Sequence, residues 1–149
     1  MNYWLHSNSS NISINSGTVK NLPIKKISSF EQQPFIERAD IMISLNKELH
    51  EKGESFLTNI STKYHIEKVT RKLEKWWELD FAIFMKELKT KTSLEEQEEL
   101  MSYFGKRKTE MNEIASRIDA TDKEIDEMVF ELYGLTEEER KVVLGSSEK

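Results

Sequence analysis

Three histidines, His6, His50 and His65, are the first candidates for acid–base or metal chemistry. None has a second His or a carboxylate at a ligand spacing, so each reads as a solitary surface imidazole. Asp80 with Glu87-Leu88-Lys89 supplies the side chains for metal-assisted phosphodiester cleavage. That chemistry needs carboxylates and a lysine to converge on one ion, whereas here the positions suit a helix cap and a helix surface. No two glycines stand at phosphate-loop spacing, and no Gly-x-Ser-x-Gly elbow occurs. The expectation is a chain with no catalytic residue and no metal ligand of its own.

Other residues point to association. Trp76, Trp77, Phe81 and Phe84 could stack on bases, but helical spacing among Glu74, Glu78 and Asp80 reads as a core plug. Adjacent tryptophans diverge on a helix, so one of the pair is expected at the surface. Lys106-Arg107-Lys108 reads as a solvated helix face. Asn46 is a polar residue inside an apolar seam, the kind of position that fixes register or partner number.

The elements that carry these residues follow from patterning. Of the 149 residues, 37% are hydrophobic and 33% charged, with five Gly and two Pro, a mix that suits long amphipathic helices. With Ala39 at heptad position a, Asn46, Gly53 and Ile60 recur there, and Phe35, Met42, Leu49 and Phe56 occupy d. Ser28 or Ser29 caps the start, with Gln32 at the third position and Pro34 in the early turns, and the helix ends near Thr62. Ile66, Val69, Leu73 and Trp76 share one helical face. Asp80 caps a short helix with Phe81, Phe84 and Leu88 inward. Ser93-Leu94-Glu95-Glu96 is a capping box that opens a second stripe through Leu94, Met101, Phe104, Met111, Ala115 and Ile118. A further box at Thr121 offers a break. Ile125 to Leu132 then lead to Gly134, placed for a left-handed C-terminal residue, and Thr136 opens a last helix to Leu144.

The expected fold is therefore all-α: an antiparallel, coiled-coil-like hairpin of long helices, an aromatic cap of short helices, and a small extended N-terminal segment. Ala39, Met42, Asn46, Leu49, Phe56, Met101, Phe104, Met111 and Ile118 form its pairing seam. Three stretches are expected: 1–28 as an extended segment and connector, 29–145 as the helical domain, and 146–149 as a frayed tail. In the first, Asn11 to Asn15 alternate in strand fashion.

The net charge of −5 is uneven. Residues 1–28 hold Lys20, Lys25 and Lys26 and no acid, a charge of +3, so the remainder carries −8. The basic head is thus the better candidate for phosphate contact. The chain has no Cys, which rules out disulfides and cysteine-ligated zinc. No apolar run reaches the ~20 residues of a membrane span, and no signal peptide is evident. A cytoplasmic protein without membrane contact is the expectation.

Leu22-Pro23-Ile24-Lys25-Lys26-Ile27-Ser28, then Glu31-Gln32-Gln33-Pro34-Phe35 and Ala39-Asp40, resemble the junction where a DNA target-recognition domain passes into a helix. That junction is found in type I restriction specificity subunits and in the TaqI-like C-terminal specificity region of adenine-specific DNA methyltransferases, including fused type IIG enzymes. Thr121-Asp122-Lys123-Glu124 through Leu132-Tyr133-Gly134-Leu135 and Thr136 to Glu139 resemble the closing helix of the same proteins. Asn2-Tyr3-Trp4-Leu5 and Gly17-Thr18-Val19-Lys20 are similar to the end of the recognition domain. The Asn-Pro-Pro-aromatic motif of methyl transfer is absent.

The resemblance implies a non-catalytic C-terminal helical part of a restriction-modification methyltransferase. S-adenosylmethionine, methyl transfer and any cleavage would then belong to upstream domains, residues 1–28 would be the remnant of the recognition domain with its connector, and DNA would lie near residues 1–27. The helical arms would hold the recognition and catalytic parts at a fixed separation or dock a second copy. The rival expectation is a helical adaptor that forms homodimers and has no DNA role.

Overall fold

The computed structural model describes residues 24–145. Four α-helices run in the order α1 (Ser29–Tyr64), α2 (Phe81–Leu88), α3 (Leu94–Tyr133) and α4 (Glu137–Gly145), with a 3₁₀ segment at Leu73–Glu78 between α1 and α2. There is no strand among the described residues. The Asn11–Asn15 alternation and the tail at 146–149 lie outside them.

Three helices open on the same device. Ser28 Oγ accepts from the Glu31 amide while Glu31 Oε2 accepts from the Ser28 amide at 2.9 Å. Ser93 and Glu96 repeat this exchange at the head of α3, and Thr136 and Glu139 at the head of α4. Each box supplies partners for amides that the first turn leaves unpaired. The Ser28 box settles the choice between Ser28 and Ser29, with Glu31 rather than Gln32 as the reciprocal partner. Asp80 Oδ1 caps α2 through the Ile83 amide at 2.8 Å.

The chain forms two compact units, residues 34–125 and, among the described residues, 24–33 with 126–145. In the first, α1 and α3 pack antiparallel. Arg38 Nε meets Glu124 Oε2 at 2.6 Å near one end, and Lys63 Nζ meets Glu99 Oε2 at 3.9 Å near the other. Equal steps along both helices separate these pairs, so the register is constant. Exposed ion pairs record the register more than they enforce it. Burial enforces it, through Leu45, Phe56 and Ile60 on α1 and Leu100, Phe104, Met111 and Ile114 on α3.

The expected heptad seam is corrected in phase. Ala39 and Asn46 are exposed, and Met101 is 56% exposed. Their neighbours Leu45 and Leu100 are buried instead. Here the buried or half-buried set runs Met42, Leu45, Leu49, Gly53, Phe56, Ile60, in steps of three, four, four, three and four. The seven-residue recurrences Met42–Leu49–Phe56 and Gly53–Ile60 hold, and on α3 Phe104, Met111 and Ile118 also recur at seven residues. Between the adjacent Leu45 and Asn46, the apolar side chain turns inward and the amide stays in water.

Two further expectations are corrected. α3 runs unbroken through Thr121, which is 92% buried by its 8% exposure and donates Oγ1 to the Arg117 carbonyl at 2.8 Å. A threonine bonded back to its own helix needs no break to satisfy its hydroxyl. Residues 66–76 do not form one helix. Only Leu73–Glu78 is helical, as 3₁₀ interrupted at Lys75 (φ −116°, ψ 47°).

The second unit is built on Phe130, 5% exposed. Arg140 lies 5.6 Å over its ring, pairs with Glu127 at 2.8 Å and donates to the Leu135 carbonyl. Gly134 adopts φ +65°, the left-handed conformation expected at the end of α3.

Candidate functional site

The aromatic cluster of residues 34–125 locks the hairpin. Trp76 and Phe84 are fully buried, and Phe56 stacks with Trp76 at a centroid distance of 3.7 Å and with Tyr103 at 5.4 Å. Phe104 meets Phe84 at 4.7 Å. Burial of each large apolar side chain is worth roughly 1.5–3 kcal/mol, so this cluster is a major stabilising term. It is a core plug, not a stacking platform. Trp77 is the half-buried member of the pair, edge-on to Trp76.

Of the expected seam residues, Phe56, Phe104 and Met111 are buried, and Met42, Leu49 and Ile118 are half-buried. Leu45, Leu100 and Ile114 belong to the core and were missed. Leu45 directly precedes Asn46, and Leu100 directly precedes Met101, so each miss is a one-residue shift at one position of the repeat while the other position, with Phe56 on α1 and Phe104 and Met111 on α3, stays in place.

Gly53 shows why a poor helix former stands in the middle of α1. A Cβ there would lie 3.0 Å from Trp77 Cζ3 and 3.4 Å from Met111 Cε. Its carbonyl accepts the Trp76 indole N–H at 3.3 Å. A buried indole needs such a partner.

The polar candidates are engaged in structure. Asp80 is a helix cap. Glu87 accepts from Lys72 Nζ at 3.2 Å and from Thr70 Oγ1 at 3.0 Å, and the Lys72 bond holds its carboxyl below the usual range. The two carboxylates do not converge, and no group of three potential metal ligands occurs among the described residues. In the basic run, Arg107 pairs with Glu110 at 2.9 Å, which raises the guanidinium pKa further and lowers that of Glu110. Lys108 Nζ donates to the Leu79 carbonyl. His50 sits beside Glu54 at 3.4 Å on an exposed face.

Lys20 and His6 lie outside the described residues. Lys26 is exposed. Lys25 Nζ donates to the Leu132 carbonyl at 2.6 Å and its amide to Tyr133 Oη at 3.2 Å. A cation at these last-turn carbonyls complements the negative end of α3.

An open hollow lies where α1 and α2 end. Tyr64, His65, Lys68, Thr70, Glu87 and Lys89 contribute to its wall. His65 (φ 53°) and Lys89 (φ 52°) both adopt the left-handed conformation there. Among the described residues, no helix is long and apolar enough to cross a membrane.

No curated protein and no solved structure matches the chain. One family model covers residues 28–129, from the Ser28 cap into the last turns of α3. The chain belongs to that family, described as a domain of unknown function (DUF8810).

Proposed function

We propose that the chain is a non-catalytic helical strut that holds the recognition and methyl-transfer parts of a restriction-modification DNA methyltransferase at a fixed separation. The observation that carries this reading is the constant antiparallel register from Arg38–Glu124 to Lys63–Glu99, with the aromatic plug between α1 and α3 near the second pair. A 36-residue helix spans roughly 54 Å, and a second helix packed along it resists bending. The connector and closing-helix strings support the DNA-enzyme context. S-adenosylmethionine and the catalytic residues would belong to the partner domains, in the same polypeptide or in an associated one.

An affinity tag placed at the chromosomal locus tests this. The purified material should transfer labelled methyl groups from S-adenosylmethionine to adenine in duplex DNA. Material that holds the chain at full occupancy without such transfer overturns the reading. The strut itself is tested by spin labels at Asp40→Cys and Thr62→Cys, both exposed positions in a chain without native cysteine. A single narrow distance near roughly 33 Å is expected from the rise of an α-helix. A broad distribution contradicts a strut.

A self-associating adaptor is the second reading, favoured by Ile36 (47% exposed) and Ile43 (66% exposed) one heptad apart on α1. Sedimentation equilibrium separates the two, because the strut is monomeric without its enzyme.

A further inference from the structure

We propose that the hollow where α1 and α2 end, with the loops that frame it, binds the phosphate backbone of duplex DNA. The chain as a whole carries −5. Lys68 and Lys89 line this hollow beside Glu67 and Glu87; Arg71 and Lys72 follow Thr70 in the loop after α1, and Lys91 follows Thr90 in the loop after α2. Thr70 and Lys72 both bond Glu87, which ties the loop after α1 to the last turn of α2 and brings the two basic segments together. Glu87 is thereby neutralised and its side chain is 16% exposed. Lys89 also acts on Glu87 through space, whereas Lys68, Arg71 and Lys91 form no ion pair among the described residues.

Lysines near helix C-termini often do no more than complement the helix dipole. That accounts for Lys63 and for Lys89. It does not account for Lys68, Arg71 and Lys91, which stand in loops outside any helix. His65 and Lys89 hold left-handed conformations directly after the last residues of α1 and α2, a common way for a helix to end. Both side chains border the hollow. The first turns of α3 bring Glu96 and Glu99 to Lys63 at the end of α1, which sets a carboxylate border there. Four cations with a carboxylate border suit a short stretch of backbone read without sequence.

That the polyanion is DNA rests on the function proposed above; the cation cluster rests on the structure alone. The test is fluorescence anisotropy of a labelled duplex of arbitrary sequence with the full chain. With about four phosphate contacts, affinity should fall roughly 100-fold between 50 and 200 mM salt. The variant K68Q/R71Q/K89G/K91Q, whose glycine relieves a left-handed residue, should keep its helix content by circular dichroism. It should lose more than roughly tenfold in affinity at 50 mM salt, with a nearly flat salt dependence. The variant K47Q/K52Q/K106Q/K123Q changes the net charge equally, away from the hollow, and should bind like the parent chain. Three results overturn the proposal: no duplex binding at 50 mM salt, equal binding by the first variant, or equal losses in both. None of these touches the strut, which the spin-label distance and the methyl-transfer assay decide separately.

Discussion

The indole nitrogen of Trp76 donates to the carbonyl oxygen of Gly53, 3.3 Å away, inside the buried core of the hairpin. The same glycine leaves room for the ring of Trp77 on its other side. One residue without a side chain thus seats two neighbouring indoles.

Trp76→Phe should destabilise the chain by roughly 2–4 kcal/mol, because it leaves the Gly53 carbonyl without its indole donor and opens a void. Trp77→Phe should cost under about 1 kcal/mol, since Trp77 is only half-buried and makes no such bond. Urea unfolding followed by far-ultraviolet circular dichroism measures both. Equal costs would show that the hydrogen bond and the burial of Trp76 do not matter.

At Gly53, substitution by Val should destabilise by about 1–3 kcal/mol, as its methyl groups meet Trp77 and Met111 at less than ordinary contact distance. Substitution by Ala should fall within about 1 kcal/mol of the parent, because the gain in helix propensity opposes the crowding. A Val variant as stable as the parent would mean that the indoles move aside freely.

Leu45→Ala should cost about 2–5 kcal/mol, whereas Asn46→Ala should be neutral or slightly stabilising. Leu45 is 3% exposed, and Asn46 is exposed and bonds only to the Met42 carbonyl of its own helix. Sedimentation of the Asn46 variant should match that of the parent chain. A change in oligomeric state would restore Asn46 to a pairing seam.

The three capping boxes make stability acid-sensitive. Glu31, Glu96 and Glu139 each have a pKa below the ordinary 4.5, chiefly through the backbone amide of the cap residue that each carboxylate accepts. A folded-state pKa below the unfolded one stabilises above the unfolded value and loses that stabilisation as pH falls through the folded one. Melting temperature should therefore decline below about pH 4.5, and E31Q/E96Q/E139Q should show a shallower decline. Parallel curves for parent and triple variant would remove the boxes as the cause.

Much of this architecture was legible in the sequence because its signals are local. Ser28, Asp80, Ser93, Gly134 and Thr136 mark helix ends through bonds to residues three or four positions away, and only at Ser28 does the partner, Glu31 in place of Gln32, differ from the expected one. The seam was harder to read, because Leu45 and Asn46 differ by one residue and either keeps the same mean spacing between Met42 and Ile60. Thr121 had the sequence of a cap, but within an uninterrupted helix its hydroxyl turns back to Arg117. The hollow was not legible at all. Lys68 and Lys89, which both line it, are 21 residues apart, and the loop after α1 is tied to α2 by the bonds of Thr70 and Lys72 to Glu87.

The constant register from Arg38–Glu124 to Lys63–Glu99 bears on how such modules can vary in length. A whole heptad inserted into one helix returns its seam nearly to the starting angle, but slides every later residue about 10 Å past the facing helix. Relatives of different length should therefore gain or lose heptads in both long helices together, in matched pairs. Each such pair would lengthen or shorten the hairpin by about 10 Å.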